Sequence, residues 1–275
     1  MKKKLLITLA TIVCVVALVA GTIAGTVAYL SVKASVTNTF TYGKVTITMD
    51  ERRVDKQGNP ASDNPADRNT GNDYMLMPGT TYTKDPIIHI GAESQAMYLF
   101  LKVDNGIAGL AMTESDQAEI NAKRAEEGKS AVITIHDQLI ANGWKVYSDE
   151  DYIYQSTATK NDDAVAIKST STVYYLSEGA NEGDTAAKVI GPRVENVEGQ
   201  EVRTAVDVPT IAYFTLGLDN VTEGTMTAYV NNDANIVITA YAVQGVGDAI
   251  NTLDAAASVF MSEFEASRTA KNSGQ

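Results

Sequence analysis

Ala96-Met97-Tyr98-Leu99-Phe100-Leu101-Lys102-Val103 is the run that decides the fold. It is too short for a buried helix and almost wholly apolar, so it reads as a strand covered on both faces. Its neighbours read as half-buried strands. In Lys44-Val45-Thr46-Ile47-Thr48-Met49 the apolar side chains alternate with threonine, so Val45, Ile47 and Met49 share one face. Asp85 to Ile90 is a third strand, with Pro86 near its start, and it is reached through the turn Met77-Pro78-Gly79-Thr80. Gly91-Ala92-Glu93-Ser94 turns the chain into the central run.

Further strands follow from aromatic and β-branched stretches: Val132–Ile135, Trp144–Tyr147, Tyr152–Tyr154, Thr172–Leu176, Thr210–Leu218, Thr225–Val230 and Ile236–Val243. Two segments have a helical period. Thr113 to Glu127 has a thin apolar face of Ala118, Ile120, Ala122 and Ala125 and ends at Gly128, which predicts a solvated surface helix. Val246, Ala249, Ile250, Leu253, Ala256, Ala257, Phe260 and Phe264 share a face of a C-terminal helix, with Asp248 placed to cap it. Asp137 to Asn142 forms a helical turn that delivers Trp144, and residues 50–73 are polar enough to read as a long loop. The sum is a mainly β protein, a β-sandwich with an inserted surface helix and a C-terminal helix.

The 275 residues carry 22 Lys and Arg against 34 Asp and Glu, a net charge of −12. That acidity argues against a nucleic-acid partner, because phosphate binding needs a basic surface. With 44% hydrophobic residues the chain has enough apolar side chains for a core. A single cysteine excludes a disulfide framework.

Residues 1–28 carry an export signature. Lys2, Lys3 and Lys4 precede an uncharged stretch from Leu5 to Val32, with small residues before Ala28. Cleavage between Ala28 and Tyr29 predicts a mature domain of residues 29–275. An uncleaved anchor is the alternative, since the uncharged stretch is long enough to cross a hydrocarbon layer of ~30 Å. Cys14 lies inside this stretch and follows Val13, which does not fit a lipoprotein site; it reads as a small apolar residue of the signal.

Catalytic motifs are sparse. His89 and His136 are the two histidines, and neither sits in H-E-x-x-H. His89 alternates with Ile88 and Ile90 on the solvent side of its strand and shares a face with Asp85, which leaves a zinc ion short of ligands. Asp67, Asn69, Gly71 and Asp73 have the flavour of a calcium loop but lack the glutamate that would close it. G-x-S-x-G, P-loop and G-x-G-x-x-G patterns are missing. No catalytic residue, metal site or cofactor is expected. Tyr147, Tyr152, Tyr154, Tyr174 and Tyr175 have the chemistry to stack on sugars, but tyrosines in strands ordinarily pack across the sheet.

Several stretches resemble one family. The signal end Gly25-Thr26-Val27-Ala28-Tyr29-Leu30-Ser31, followed by Thr37-Asn38-Thr39-Phe40-Thr41-Tyr42-Gly43-Lys44-Val45-Thr46-Ile47, is similar to the TasA/camelysin family of Gram-positive bacteria. Met77 to Pro86, Gly91 to Ala96, Asn142-Gly143-Trp144 and Ile238 to Gln244 also look like members of it. The resemblance implies a jelly-roll-like sandwich released by a dedicated signal peptidase and secreted to the extracellular matrix or cell surface. It also implies assembly into biofilm-matrix fibres by donor-strand exchange. Residues 29–41 are then the donor strand, with Tyr29, Leu30, Val32, Val36, Thr39 and Phe40 as its contacts. The partner is a second copy of the chain, head to tail, with other fibre proteins or polysaccharide as further matrix partners. Pairing of 29–41 within its own subunit is the competing arrangement. Camelysin relatives are also described as metallopeptidases, and that alternative, like a membrane-anchored adhesin, stays open beside the structural reading.

Overall fold

The computed structural model describes residues 45–147, 152–160, 163–179, 186–219, 221–231, 235–245 and 252–258, with side chains in 152–166 and at 230–231 left aside. The signal segment 1–28, its cleavage residues Ala28 and Tyr29, and the donor positions Leu30, Val32, Val36, Thr39 and Phe40 lie outside the described residues. So do Asp248, Val246, Ala249, Ile250, Phe260 and Phe264.

The chain is mainly β, and every strand pairing among the described residues is antiparallel. The first sheet holds β1 (Ile47–Arg52), β2 (Arg68–Asn69), β4 (Ile87–Ile90) and β12 (Val206–Pro209), in the order β12-β4-β1-β2. The second has β5 (Met97–Asn105) near its middle. β14 (Ile236–Gln244) lies on one side of β5 and β8 (Asp163–Leu176) on the other. β6 (Trp144–Val146) and β7 (Tyr152–Lys160) pair with β8, and β9 (Val189–Ile190) pairs with β5. Two small ribbons complete the set: β3 (Thr81–Thr83) with β13 (Tyr213–Thr215), and β10 (Arg193–Val197) with β11 (Gln200–Thr204).

The alternation in β5 explains the layers. Met97, Leu99, Leu101 and Val103 face the first sheet and meet Ile88, Ile90 and Val208 in the main core, with Trp144, Tyr174 and Leu176. Tyr98 and Phe100 face the other way, against Val173, Tyr175, Ala256 and Ala257. The predicted both-face burial is therefore real: every residue from Met97 to Val103 is buried. The half-buried reading of β1 also holds, with Val45, Ile47 and Met49 against the main core and Thr48 exposed. A third core gathers Tyr82, Phe214, Leu110, Leu216 and Tyr229. There the Tyr82 and Phe214 rings stack at 4.9 Å, with Tyr74 edge-on to both. The turn into β3 needs its glycine: Gly79 has φ +66°, and a Cβ there would lie 2.7 Å from Leu218.

The expected surface helix is α1 (Glu114–Glu126). Thr113 caps it in a reciprocal box with Asp116, and Gly128 follows at φ +70°. The C-terminal helix is seen over residues 253–258, where Leu253, Ala256 and Ala257 turn toward the second sheet as predicted. There the Thr252 hydroxyl accepts from the Ala255 N–H at 3.2 Å.

Five expectations are corrected. Residues 50–73 are not one loop, because β1 runs on to Arg52 and β2 returns against it. The strand expected over 85–90 starts only at Ile87, and a separate strand, β3, precedes it. Val132 is not in a strand; its N–H is taken by the Asn121 side chain at 2.7 Å, and α2 (Ile135–Ala141) starts beside it with a Thr134–Asp137 capping box. Thr210–Leu218 contains only the short β13, and β12 ends at Pro209 before it. Thr225–Val230 is helical, within α3 (Glu223–Asn231). Its β-branched composition is overruled by a cap, the Thr225 N–H donating to Thr222 Oγ1 at 3.2 Å, and by burial of Ala228 and Tyr229.

Candidate strand-acceptor cleft

The two sheets meet differently along their two sides. On one side the outer strands are β12 and β6. Trp144 is fully buried, and its Nε1 donates to Pro209 O at 3.0 Å. Asn142 Nδ2 donates to Thr210 O at 2.6 Å. Gln138, buried in α2, accepts from the Ala212 N–H at 2.9 Å through Oε1 and donates through Nε2 to Tyr213 O at 2.9 Å. Side chains thus satisfy backbone groups that no strand reaches.

On the other side, β1 and β14 face each other across a cleft of about 270 Å³ lined by Met49, Asp50, Glu51, Asn72, Lys84, Pro86 and Asn235–Ile238. Along Ile47–Asp50 the only described partner of β1 is β4, and along its whole length the only described partner of β14 is β5. The ladder fixes which groups point out. Gly106 N–H donates to Asn235 O at 2.7 Å and Gly245 N–H to Ala96 O at 2.9 Å. Those are hydrogen-bonded pairs at both ends of the β5–β14 ladder. By alternation, Ile236, Ile238, Ala240, Ala242 and Gln244 turn their N–H and C=O away from β5. The Gly91 N–H bond to Thr46 O at 3.1 Å likewise leaves Ile47 and Met49 with outward N–H and C=O. Of these residues Ile47, Met49, Ile236, Ile238, Ala240 and Ala242 send their side chains to the main core, where Val45, Ile47, Met49, Ile236, Ala240 and Ala242 are only partly covered. Among the described residues, no strand pairs with the outward groups of Ile47, Met49, Ile236, Ile238, Ala240 and Ala242, and apolar surface lies below them.

Charged residues hold the cleft's β1 wall. Glu51 is buried, with Oε2 at 2.8 Å from Lys84 Nζ and Oε1 accepting from Asn72 Nδ2 at 3.0 Å. On the outer face of the first sheet, Arg68 pairs with Asp50 and lies 3.4 Å from Asp85. His89 Nδ1 is 2.7 Å from Asp207 and its Nε2 is 3.1 Å from Asp50. Partial burial opposes charging the ring, but the hydrogen bond to Asp207 and the contacts with Asp50 outweigh it and hold the His89 pKa above the ordinary histidine value. For Asp50, burial is outweighed by the Arg68 and His89 contacts, and its carboxyl is held below the usual range.

The remaining candidates from the sequence are placed as follows. His89 is on the outer face, as expected, but two carboxylates hold its ring, and Asp85 joins the cluster only through Arg68. His136 Nδ1 lies 3.1 Å from the Tyr174 hydroxyl at the rim of a cavity of about 210 Å³, between the main and third cores. Asp67 pairs with Arg53 at 3.1 Å, and Asn69 donates to Asn72, so the calcium-like loop is bound to itself. Among the described residues no group of three or more His, Cys, Asp or Glu is placed to hold a metal ion. Tyr174 and Tyr175 are buried on opposite faces, and Tyr147 packs edge-on against Phe100, which is packing rather than a sugar platform. No described helix is long and apolar enough to cross a membrane.

The sequence did not reveal the cleft, because an open edge is defined by the partner a strand lacks. The chain has no significant match among protein-family models, curated proteins or solved structures.

Proposed function

We propose that the chain is an exported structural subunit that polymerises head to tail, its mature N-terminal segment 29–41 completing the cleft between β1 and β14 of the next copy. The observation that carries this reading is the pairing of two open edges over partly covered apolar side chains, on the wall where the chain enters β1. A strand supplied from outside satisfies the outward backbone groups of Ile236, Ile238, Ala240 and Ala242 and of Ile47 and Met49, and covers the core beneath them. A contact of this kind does not close on itself and gives filaments.

The TasA/camelysin resemblance supports the finer parts of the proposal: a jelly-roll arrangement, a signal removed after Ala28 by a dedicated peptidase, secretion, and a place in a biofilm matrix with other fibre proteins or polysaccharide. In this reading the role is structural and not catalytic.

Deletion of residues 29–41 is expected to leave a folded, soluble monomer, while the exported chain starts at Tyr29 by mass analysis and forms filaments in electron micrographs. Filaments from the deleted chain would overturn the donor assignment. Membrane-bound monomers that retain Lys2 to Lys4 would point to the anchored adhesin.

A further inference from the structure

The β10–β11 ribbon lies apart from both sheets. Nine of its ten strand residues are exposed, Arg203 alone being partly covered, and Val194, Val197 and Val202 are 54%, 49% and 42% exposed. Among the described residues it gains no third strand. Two-stranded ribbons with bare edges and surface valines are templates for strand addition.

The turn decides which backbone groups are available. Glu198 and Gly199 both have positive φ, 54° and 81°, the pattern of a type I′ two-residue turn. Such a turn closes on a hydrogen-bonded pair, here Val197 with Gln200. Alternation then makes Glu195–Val202 and Arg193–Thr204 hydrogen-bonded pairs and leaves Glu201 and Arg203 with N–H and C=O facing away from β10.

A second β11 laid antiparallel along that edge has three interior centres of symmetry. Centred on Glu201, glutamate meets glutamate. Centred on Arg203, arginine meets arginine. Centred on Val202, valine meets valine as the close, non-hydrogen-bonded pair, and Glu201 meets Arg203 twice, with the outward N–H and C=O groups in register. Arg203 is held in place within its own chain: its Nε donates to Ala92 O at 3.1 Å, its Nη2 to Ser94 O at 2.6 Å, and its Nη1 lies 3.6 Å from Glu201. The β10 edge is less suited. A centre on Glu195 opposes two carboxylates, a centre on Val194 requires an N–H that Pro192 lacks, and a centre on Asn196 sets Val194 against Glu198 of the turn.

We infer that β11 is a self-recognition edge: two copies of the chain join their β11 strands antiparallel about Val202 into a four-stranded sheet. The contact is two-fold and closes at the dimer, so it is distinct from any head-to-tail contact and joins chains sideways. Five residues a side make it a weak contact by itself.

Thiol cross-linking tests it in the full chain carrying Cys14→Ser. Val202→Cys places two thiols across the close pair, where the spacing suits a disulfide. Val197→Cys, exposed on the same face of the neighbouring strand, is the control. Mild oxidation is expected to give about tenfold or more disulfide dimer from Val202→Cys than from Val197→Cys, because pairing raises the local thiol concentration. Glu201→Arg, which opposes arginine to arginine, and Glu201→Pro, which removes an outward N–H and spares the β10 ladder, should each abolish that excess. Equal cross-linking at the two positions, or an excess that survives both Glu201 substitutions, would overturn the inference.

Discussion

The closed and open sides of the sandwich solve the same problem by opposite means. Beyond β12 and β6, the backbone of residues 209–213 is held by Trp144, Asn142 and Gln138, side chains of the same chain. At Ile47 and Met49 of β1 and at Ile236, Ile238, Ala240 and Ala242 of β14, no described strand pairs with the outward groups. Polar backbone facing a partly covered core is costly unless it is solvated or paired. In the proposed assembly the closed side serves the stability of the single subunit, and the open side receives a second chain. Substitutions on the closed side should unfold the subunit, and those on the open side should spare the subunit and stop its assembly.

The largest effect is expected at Trp144. Trp144→Ala removes the biggest fully buried side chain and its bond to Pro209, and should cost about 3–5 kcal/mol in denaturant unfolding followed by circular dichroism. Gln138→Ala comes next, at about 0.5–1.5 kcal/mol for each hydrogen bond it removes, because Ala212 is exposed and Tyr213 half-buried. A closed side that tolerates both changes would erase the contrast.

His89 sharpens the comparison, because it ties β4 to β1 and β12 on the face behind the cleft wall. Its pKa is raised in the fold, so its contribution is complete below the unfolded value of about 6.5 and is lost as pH rises through the folded value. Asp50 has the opposite sign: its contribution is present above its ordinary value and is lost as pH falls through the lowered one. Unfolding free energy should therefore peak in mildly acidic solution. His89→Gln should flatten the alkaline limb, with its greatest cost near pH 5–6, the mildly acidic window below the unfolded histidine value of about 6.5. A variant whose alkaline limb matches wild type would remove His89 from the account.

The smallest effect on folding is expected on the open side. Ala242 turns its N–H away from β5, so Ala242→Pro leaves the β5 ladder whole and should change subunit stability by about 1 kcal/mol or less. The same substitution should stop filament growth, scored by electron microscopy. Loss of the fold instead would mean that the β14 edge is already in use within the subunit.

Strands built from alternating or continuous apolar residues were legible from sequence: β1, β5 and β14 stand close to where their patterns put them. So was α1, whose period and Gly128 agree. The helix α3 was not, because Thr225 to Val230 favours a strand by composition; the usable signal was the Thr222–Thr225 cap. The β10–β11 ribbon was not legible either, since its valines are interspersed with Glu, Asn and Arg on exposed faces. The cleft and the Asp207–His89–Asp50 bridge depend on which strands lie side by side, and that is set by non-local pairing.

Hydrogen exchange tests the acceptor cleft most directly. Chains lacking residues 29–41 would be followed amide by amide, with and without a synthetic peptide of that sequence. Fast exchange is expected at Ile47, Met49, Ile236, Ile238, Ala240 and Ala242 in the free protein, and slow exchange at these positions once the peptide is added. Peptide binding that leaves these amides unprotected, or protection of them before any peptide is present, would contradict it.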